Sequence, residues 1–159
     1  MIIIADSSPL IALAVISKLE LLDKLYEKVY VPNAVFQELA DNDRAFANEL
    51  RRFLTGRIKE VKNRLAVDVL LSDIGAGEAE AIILALEQHP DAVLIDDLKA
   101  RKFAKLRGLN IIGTLGILLK AKKEGLVQEI KPLLDDMLAA NIRISEKIRE
   151  LALQSAQEI

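Results

Sequence analysis

An α/β fold with a parallel central sheet and helices on both faces is predicted by three observations. Short apolar runs recur at residues 2–5, 29–31, 92–95 and 111–112. Helical stretches of about 10–15 residues separate them, the spacing of βαβ units. Polar or proline-bearing punctuation stands where helices must begin after a run, as in Asp6-Ser7-Ser8-Pro9 and at Pro32. Crossovers in such a sheet are right-handed, and ligands bind outside the carboxyl ends of the strands. At 159 residues one domain is expected, with a core over 1–126 and a C-terminal helical extension over 127–159 packed on it.

Residues 2–5 (IIIA) read as a buried strand. Asp6 to Pro9 break it and open a helix, with the proline tolerated in its first turn. Residues 10–16 and 19–25 are helical, split near Ser17. A strand at 29–31 precedes Pro32, which opens a helix to about Ala40, and a polar helix follows over roughly 43–54. Residues 58–69 are expected to hold one or two strands. Helix 76–88, strand 92–95, basic helix 98–107, strand 111–112 and helix 115–124 complete the alternation. Gly125 is the stop signal of that last helix. Residues 130–158 read as two helices interrupted at 142–144.

The composition is 52% hydrophobic and 29% charged, with a net charge of -2, so any anion-binding surface must be local. There is no cysteine and one histidine, His89. Disulfide scaffolds, zinc fingers, thiol nucleophiles and multi-histidine metal sites are excluded. A metal here would need oxygen ligands, which favours Mg²⁺, Mn²⁺ or Ca²⁺. The apolar start lacks a basic leader and is too short to span a bilayer, so a soluble, cytoplasmic protein is expected.

The acids fall where such a fold puts its site. Asp6 follows strand 2–5, and Asp96 and Asp97 follow strand 92–95. Either member of that second pair, or Asp6 itself, could instead cap a helix. Glu38 adjoins the apolar stripe of Ala34, Val35 and Leu39 and is expected to point inward. Glu78 lies in the first turn of helix 76–88 after Gly75 and Gly77, on the line of Ile82 and Ala85. Glu80 aligns with Glu87 and reads as the more solvent-prone acid. Two like charges about 4 Å apart cost roughly 4 kcal/mol at an effective dielectric of 20, a repulsion that a divalent cation reverses. Such an ion polarises phosphoryl oxygens and activates water without a histidine base.

Positive charge is localised beside these acids. Residues 99–107 carry Lys99, Arg101, Lys102, Lys105 and Arg107 and no acid. An ordinary solvated helix face would look the same, but the cluster begins three residues after Asp96. Lys99, Arg101 and Lys105 are therefore candidates for holding a phosphate backbone. Rival motifs fail. Glu80 stands where a dinucleotide fingerprint needs its third glycine, and no phosphate-cradling GxxxxGK[ST] exists.

Five segments taken together resemble a PIN domain. They are Asp6-Ser7-Ser8-Pro9 with LIALA at 10–14, VPNAVFQELA at 31–40, GAGEAEAIILALE at 75–87, LIDDLKAR at 94–101 and IIGTLGILLKAKKEGL at 111–126. The resemblance covers about residues 1–140 and implies a three-layer α/β/α sandwich with an Mg²⁺- or Mn²⁺-dependent ribonuclease site. It maps onto Asp6, Glu38, Glu78 and Asp96, with Ser8 and Thr114 as polar neighbours and Asp97 able to substitute or assist. Many relatives are toxins of toxin–antitoxin pairs, so the implied partners are RNA, a small antitoxin protein and a second copy of the chain. The expected function is metal-dependent endoribonuclease, with Asp6 and Asp96 anchoring the ion and Glu38 and Glu78 completing the cage. The competing readings are a non-catalytic nucleic-acid or protein binding module and, more weakly, a receiver-like phosphoacceptor domain.

Overall fold

Five short strands organise the molecule. They are β1 (Ile2–Ala5), β2 (Lys28–Pro32), β3 (Ile58–Lys59), β4 (Ala92–Leu94) and β5 (Ile111–Ile112). The computed structural model describes residues 1–40 and 46–159. The sheet order is β3-β2-β1-β4-β5, and every pairing is parallel. Strand β1 therefore lies between β2, reached by the first crossover, and β4, reached after the chain has returned from the far edge. This is where strand order reverses, the position at which sheets of this kind place their ligands, outside the carboxyl ends of the strands.

Period-two alternation sends the strand side chains to two separate cores. Ile3 and Ala5 of β1 and Leu94 of β4 face one core, completed by residues of α1 (Ser7–Val15), α2 (Glu20–Leu25), α3 (Asn33–Ala40) and α4 (Ala47–Leu54). The same core takes in α8 (Thr114–Lys123), α9 (Lys131–Ala139) and α10 (Glu146–Ser155). Ile4, Val93 and Ile95 face the other, built with α5 (Arg64–Leu70), α6 (Ala76–Gln88) and α7 (Leu98–Leu106). Two cores on the two faces of one sheet make the expected three-layer α/β/α sandwich. The C-terminal helices pack on the first core through Leu134, Met137, Ala152 and Leu153.

The helix boundaries follow local chemistry. Ser17 turns left-handed between α1 and α2, His89 does so at the end of α6, and Gly125 does so just past α8. Ser145 accepts the Ile148 N–H and opens α10 after the interruption at 142–144. Residues 43–45 of the expected polar helix lie outside the described residues, and α4 begins at Ala47.

One element differs from the expectation. Only Ile58–Lys59 is strand, and Arg64–Leu70 is a helix whose start is capped by Asn63, which accepts the Ala66 N–H. Leu65, Val67 and Val69 alternate like a strand, but only Val67 is buried, together with Leu70 one turn on. Leu65 and Val69 are 75% and 65% exposed, so the burial period is helical. Among the described residues no helix is long and apolar enough to cross a membrane.

Candidate active site

Asp6 directly follows β1 at this switch point. Its N–H donates to the Leu94 carbonyl at 3.0 Å, which ties the end of β1 to β4. It stands at the N-cap position of α1, yet its side chain makes no capping bond. The residue is 1% exposed, and Oδ1 is buried without a hydrogen-bond partner. Burial, then the charge of Glu78, push its pKa from 3.8 up to about 7, against the pull of the Ser7 backbone N–H. Glu38 and Asp96 add to the upward push. A buried carboxylate left in this state is an unfavourable feature of the fold, and it asks for a positive partner.

Glu38 approaches from α3. Contrary to the inward orientation expected of it, the residue is exposed, while Ala34, Val35 and Leu39 form the buried face. Its carboxylate nevertheless bends back toward Asp6. Oε2 accepts the Ser7 hydroxyl at 2.7 Å, and Oε1 accepts the Gly77 N–H at 3.1 Å. Gly77 is the floor on which Asp6 and Glu38 meet. A Cβ there would lie 2.9 Å from Glu38 Oε1 and 3.0 Å from Asp6 Oδ1. Only a glycine lets both oxygens come this close to the start of α6.

Glu78, half-buried, is in the first turn of α6, where the helix dipole favours an acid. Its Oε2 folds back to within 2.5 Å of where a Gly75 Cβ would sit. Glu80 departs from the solvent-facing position expected of it. It is 5% exposed, and its carboxylate accepts the Ala34 N–H at 2.9 Å and Arg64 Nη1 at 2.8 Å. The hydrogen bond and charge of Glu80 hold the Arg64 guanidinium above its ordinary pKa despite some desolvation. Glu80 thus joins α3, α5 and α6, and Glu78 is the acid left near Asp6.

Asp96 and Asp97 are held by different partners. Asp97 caps α7, its Oδ2 accepting the Ala100 N–H at 2.9 Å. Its carboxylate is committed to that cap. Asp96 turns toward β5, where Oδ1 accepts the Thr114 N–H at 2.7 Å and Oδ2 accepts the Thr114 hydroxyl. Arg101 Nη1 donates to the Ile95 carbonyl at 2.8 Å. A Cβ on Gly113 would sit 2.8 Å from both that nitrogen and Asp96 Oδ1, so the guanidinium stands beside the carboxylate.

The other expected neighbours are arranged differently. Ser8 is exposed, and the hydroxyl that enters the site is that of Ser7. The Asp-Ser step after the first strand is the signal for it. Lys99 reaches Asp73 at 3.9 Å. Lys105 is exposed nine residues after Asp96, about 13 Å along the helix axis. Lys120 and Lys122 are at the far end of α8 from Thr114 and engage Tyr26 and Glu158.

Four carboxylates from separate segments thus line one sheet edge, flanked by Arg101. Among the described residues no three His, Cys, Asp or Glu side chains stand close enough to hold a metal ion as they are placed. The donor chemistry still suits a hard cation: all oxygen, with one buried oxygen unpaired on a glycine floor. Compared with known families, residues 2–158 match a family model described as a PIN domain. No curated protein and no solved structure matches the chain.

Proposed function

The chain belongs to the PIN-domain family, a nuclease-type fold, and we propose that it is a divalent-metal-dependent endoribonuclease. The observation that carries this reading is Asp6, a buried carboxylate whose free oxygen faces Glu38 across Gly77, its pKa raised by burial and then by the charges of Glu78, Glu38 and Asp96. Asp6 and Asp96 would anchor Mg²⁺ or Mn²⁺, with Glu38 and Glu78 completing the set. Bound there, such an ion supplies polarisation of phosphoryl oxygens and a lowered pKa for water.

The remaining work falls to the chain itself. Ser7 and the Gly77 N–H hold the Glu38 carboxylate, and Thr114 holds Asp96 by two bonds. Side chains locked in this way keep their orientation when substrate arrives. Arg101 supplies the cation against which a phosphate can rest beside Asp96. Imidazole takes no part, because His89 closes the other end of α6, about 18 Å along the helix axis from Gly77. Carboxylates are therefore the proton acceptors at hand.

The test is cleavage of a labelled single-stranded RNA with Mn²⁺ or Mg²⁺. Cleavage stopped by excess EDTA and abolished in Asp6→Asn supports the reading. Cleavage that survives either treatment contradicts it. A toxin role is the finer proposal, read out as growth arrest on expression that Asp6→Asn relieves. The binding-module reading is favoured by one observation, that no three described acids stand at metal-holding distance. Calorimetry with Mn²⁺ separates the two, since a module shows no stoichiometric binding that Asp6→Asn removes.

A further inference from the structure

Beyond Asp96, the carboxyl edge of the sheet opens into a cavity of about 590 Å³. Its walls are apolar: Ile112 of β5, the buried Met137 of α9, and Ile144 and Ile148 where the chain turns into α10. Arg101 and Arg143 also line it. Among the described lining residues Asp96 is the one carboxylate, and it is already bonded to Thr114. Cavity and candidate site share Asp96, Thr114 and Arg101, so they are continuous. Two strand steps separate β1 from β5, which puts the cavity mouth about 10 Å from Asp6.

We infer that this cavity seats one unpaired base of the RNA strand whose phosphate lies at the acids. The inference rests on the nuclease reading above and names its substrate as single-stranded. A nucleotide pairs an apolar ring face with an anionic backbone. The cavity pairs aliphatic walls with two guanidinium groups. Ile144 and Ile148 cover the ring, while Arg101 and Arg143 meet the flanking phosphates. A purely apolar peptide would fill the walls but bring no anionic group to Arg101 and Arg143. A base in a duplex is paired and stacked and cannot enter, which is why unpaired RNA is the substrate. No aromatic residue lines the described walls, so the base contributes at the low end of the stacking scale and with little preference for its identity.

The test uses full-length protein with isoleucine methyl groups labelled for NMR, with Ca²⁺ in place of Mg²⁺ and Mn²⁺ so that the acids are neutralised without turnover. Three probes are titrated: a short single-stranded RNA, a ribose-phosphate strand of the same length without bases, and the matching duplex. Ring-current shifts at Ile112, Ile144 and Ile148 are expected with the base-bearing single strand alone. That strand should bind about tenfold more tightly than the abasic one. Ile148 is 47% exposed, so Ile148→Glu leaves the fold intact and should remove most of that difference. Arg143→Ala, also at an exposed residue, should weaken both single strands alike. An equal response to the abasic strand or the duplex, or no response to RNA, overturns the inference. So does a response to an amphipathic peptide alone, which assigns the cavity to a protein partner. Metal-dependent cleavage is scored separately. Intact cleavage with silent isoleucines removes the base seat only, and absent cleavage with responding isoleucines removes the nuclease reading only.

Discussion

Replacing Asp6 by asparagine should stabilise the metal-free protein, and increasingly so as pH rises. The fold holds the Asp6 pKa at about 7 against an ordinary 3.8, so the native state binds the extra proton between those values. Stability then falls with rising pH through this window and levels off above it. Its full presence is below 3.8, and it is lost by about pH 7. Each pH unit is worth about 1.36 kcal/mol, so from pH 5 to the folded value of about 7 the wild type loses about 2.7 kcal/mol that the variant keeps. For a chain of this size that is roughly 5–10 °C in Tm. Urea denaturation of both proteins in EDTA at pH 5 and pH 8.5 measures it, because other titrating groups cancel in the difference. With Mn²⁺ at about a hundred times its Kd, the wild type should recover about 2.7 kcal/mol and the variant nothing. An unchanged difference at the two pH values, or a variant less stable at pH 8.5, would show that the fold does not raise the Asp6 pKa.

Gly77→Ala should leave the fold near its original stability, since alanine favours helix by up to about 1 kcal/mol. Its methyl would fall 2.9 Å from Glu38 Oε1, so cleavage should drop tenfold or more in a steady-state assay. Glu80→Ala should cost about 2 kcal/mol by leaving the buried Ala34 N–H unpaired, with Mn²⁺ affinity retained in calorimetry. Loss of metal affinity there would make Glu80 a ligand after all. Glu158 is desolvated, but the Ile130 and Lys131 N–H groups and Lys122 outweigh this and hold its pKa below 4.5. Its contribution is therefore present above pH 4.5 and lost as pH falls through the lowered folded value. Glu158→Gln should cost about 1–2 kcal/mol at neutral pH in urea denaturation, and the cost should shrink as pH falls below 4.5.

The sheet edge is legible in the sequence because it follows from topology. An acid directly after a buried strand must emerge at the carboxyl end, and that logic locates Asp6 and Asp96 without any side-chain geometry. Periodicity misleads for Glu38 because one helix line says nothing of where the helix ends. Next to the end of α3, the side chain can leave the apolar stripe and reach Ser7 and Gly77 instead. Glu80 escapes the pattern for the opposite reason. Its partners, Ala34 and Arg64, come from segments 46 and 16 residues away, and no local pattern shows them. The α5 helix is hidden by a three-residue alternation, and only the cap at Asn63 hints at it. The cavity beside β5 depends on how the C-terminal helices dock, which is a tertiary property.

On the nuclease reading, a hard divalent cation belongs between Asp6 and its neighbouring acids. Anomalous diffraction from a crystal soaked in Mn²⁺ at pH 8 tests it most directly. The expected result is a peak bonded to Asp6 Oδ1, with Asp96, Glu38 or Glu78 completing the contact and none at Glu80. A crystal that takes up no Mn²⁺ at Asp6, or binds it only at Glu80 or Asp97, contradicts it.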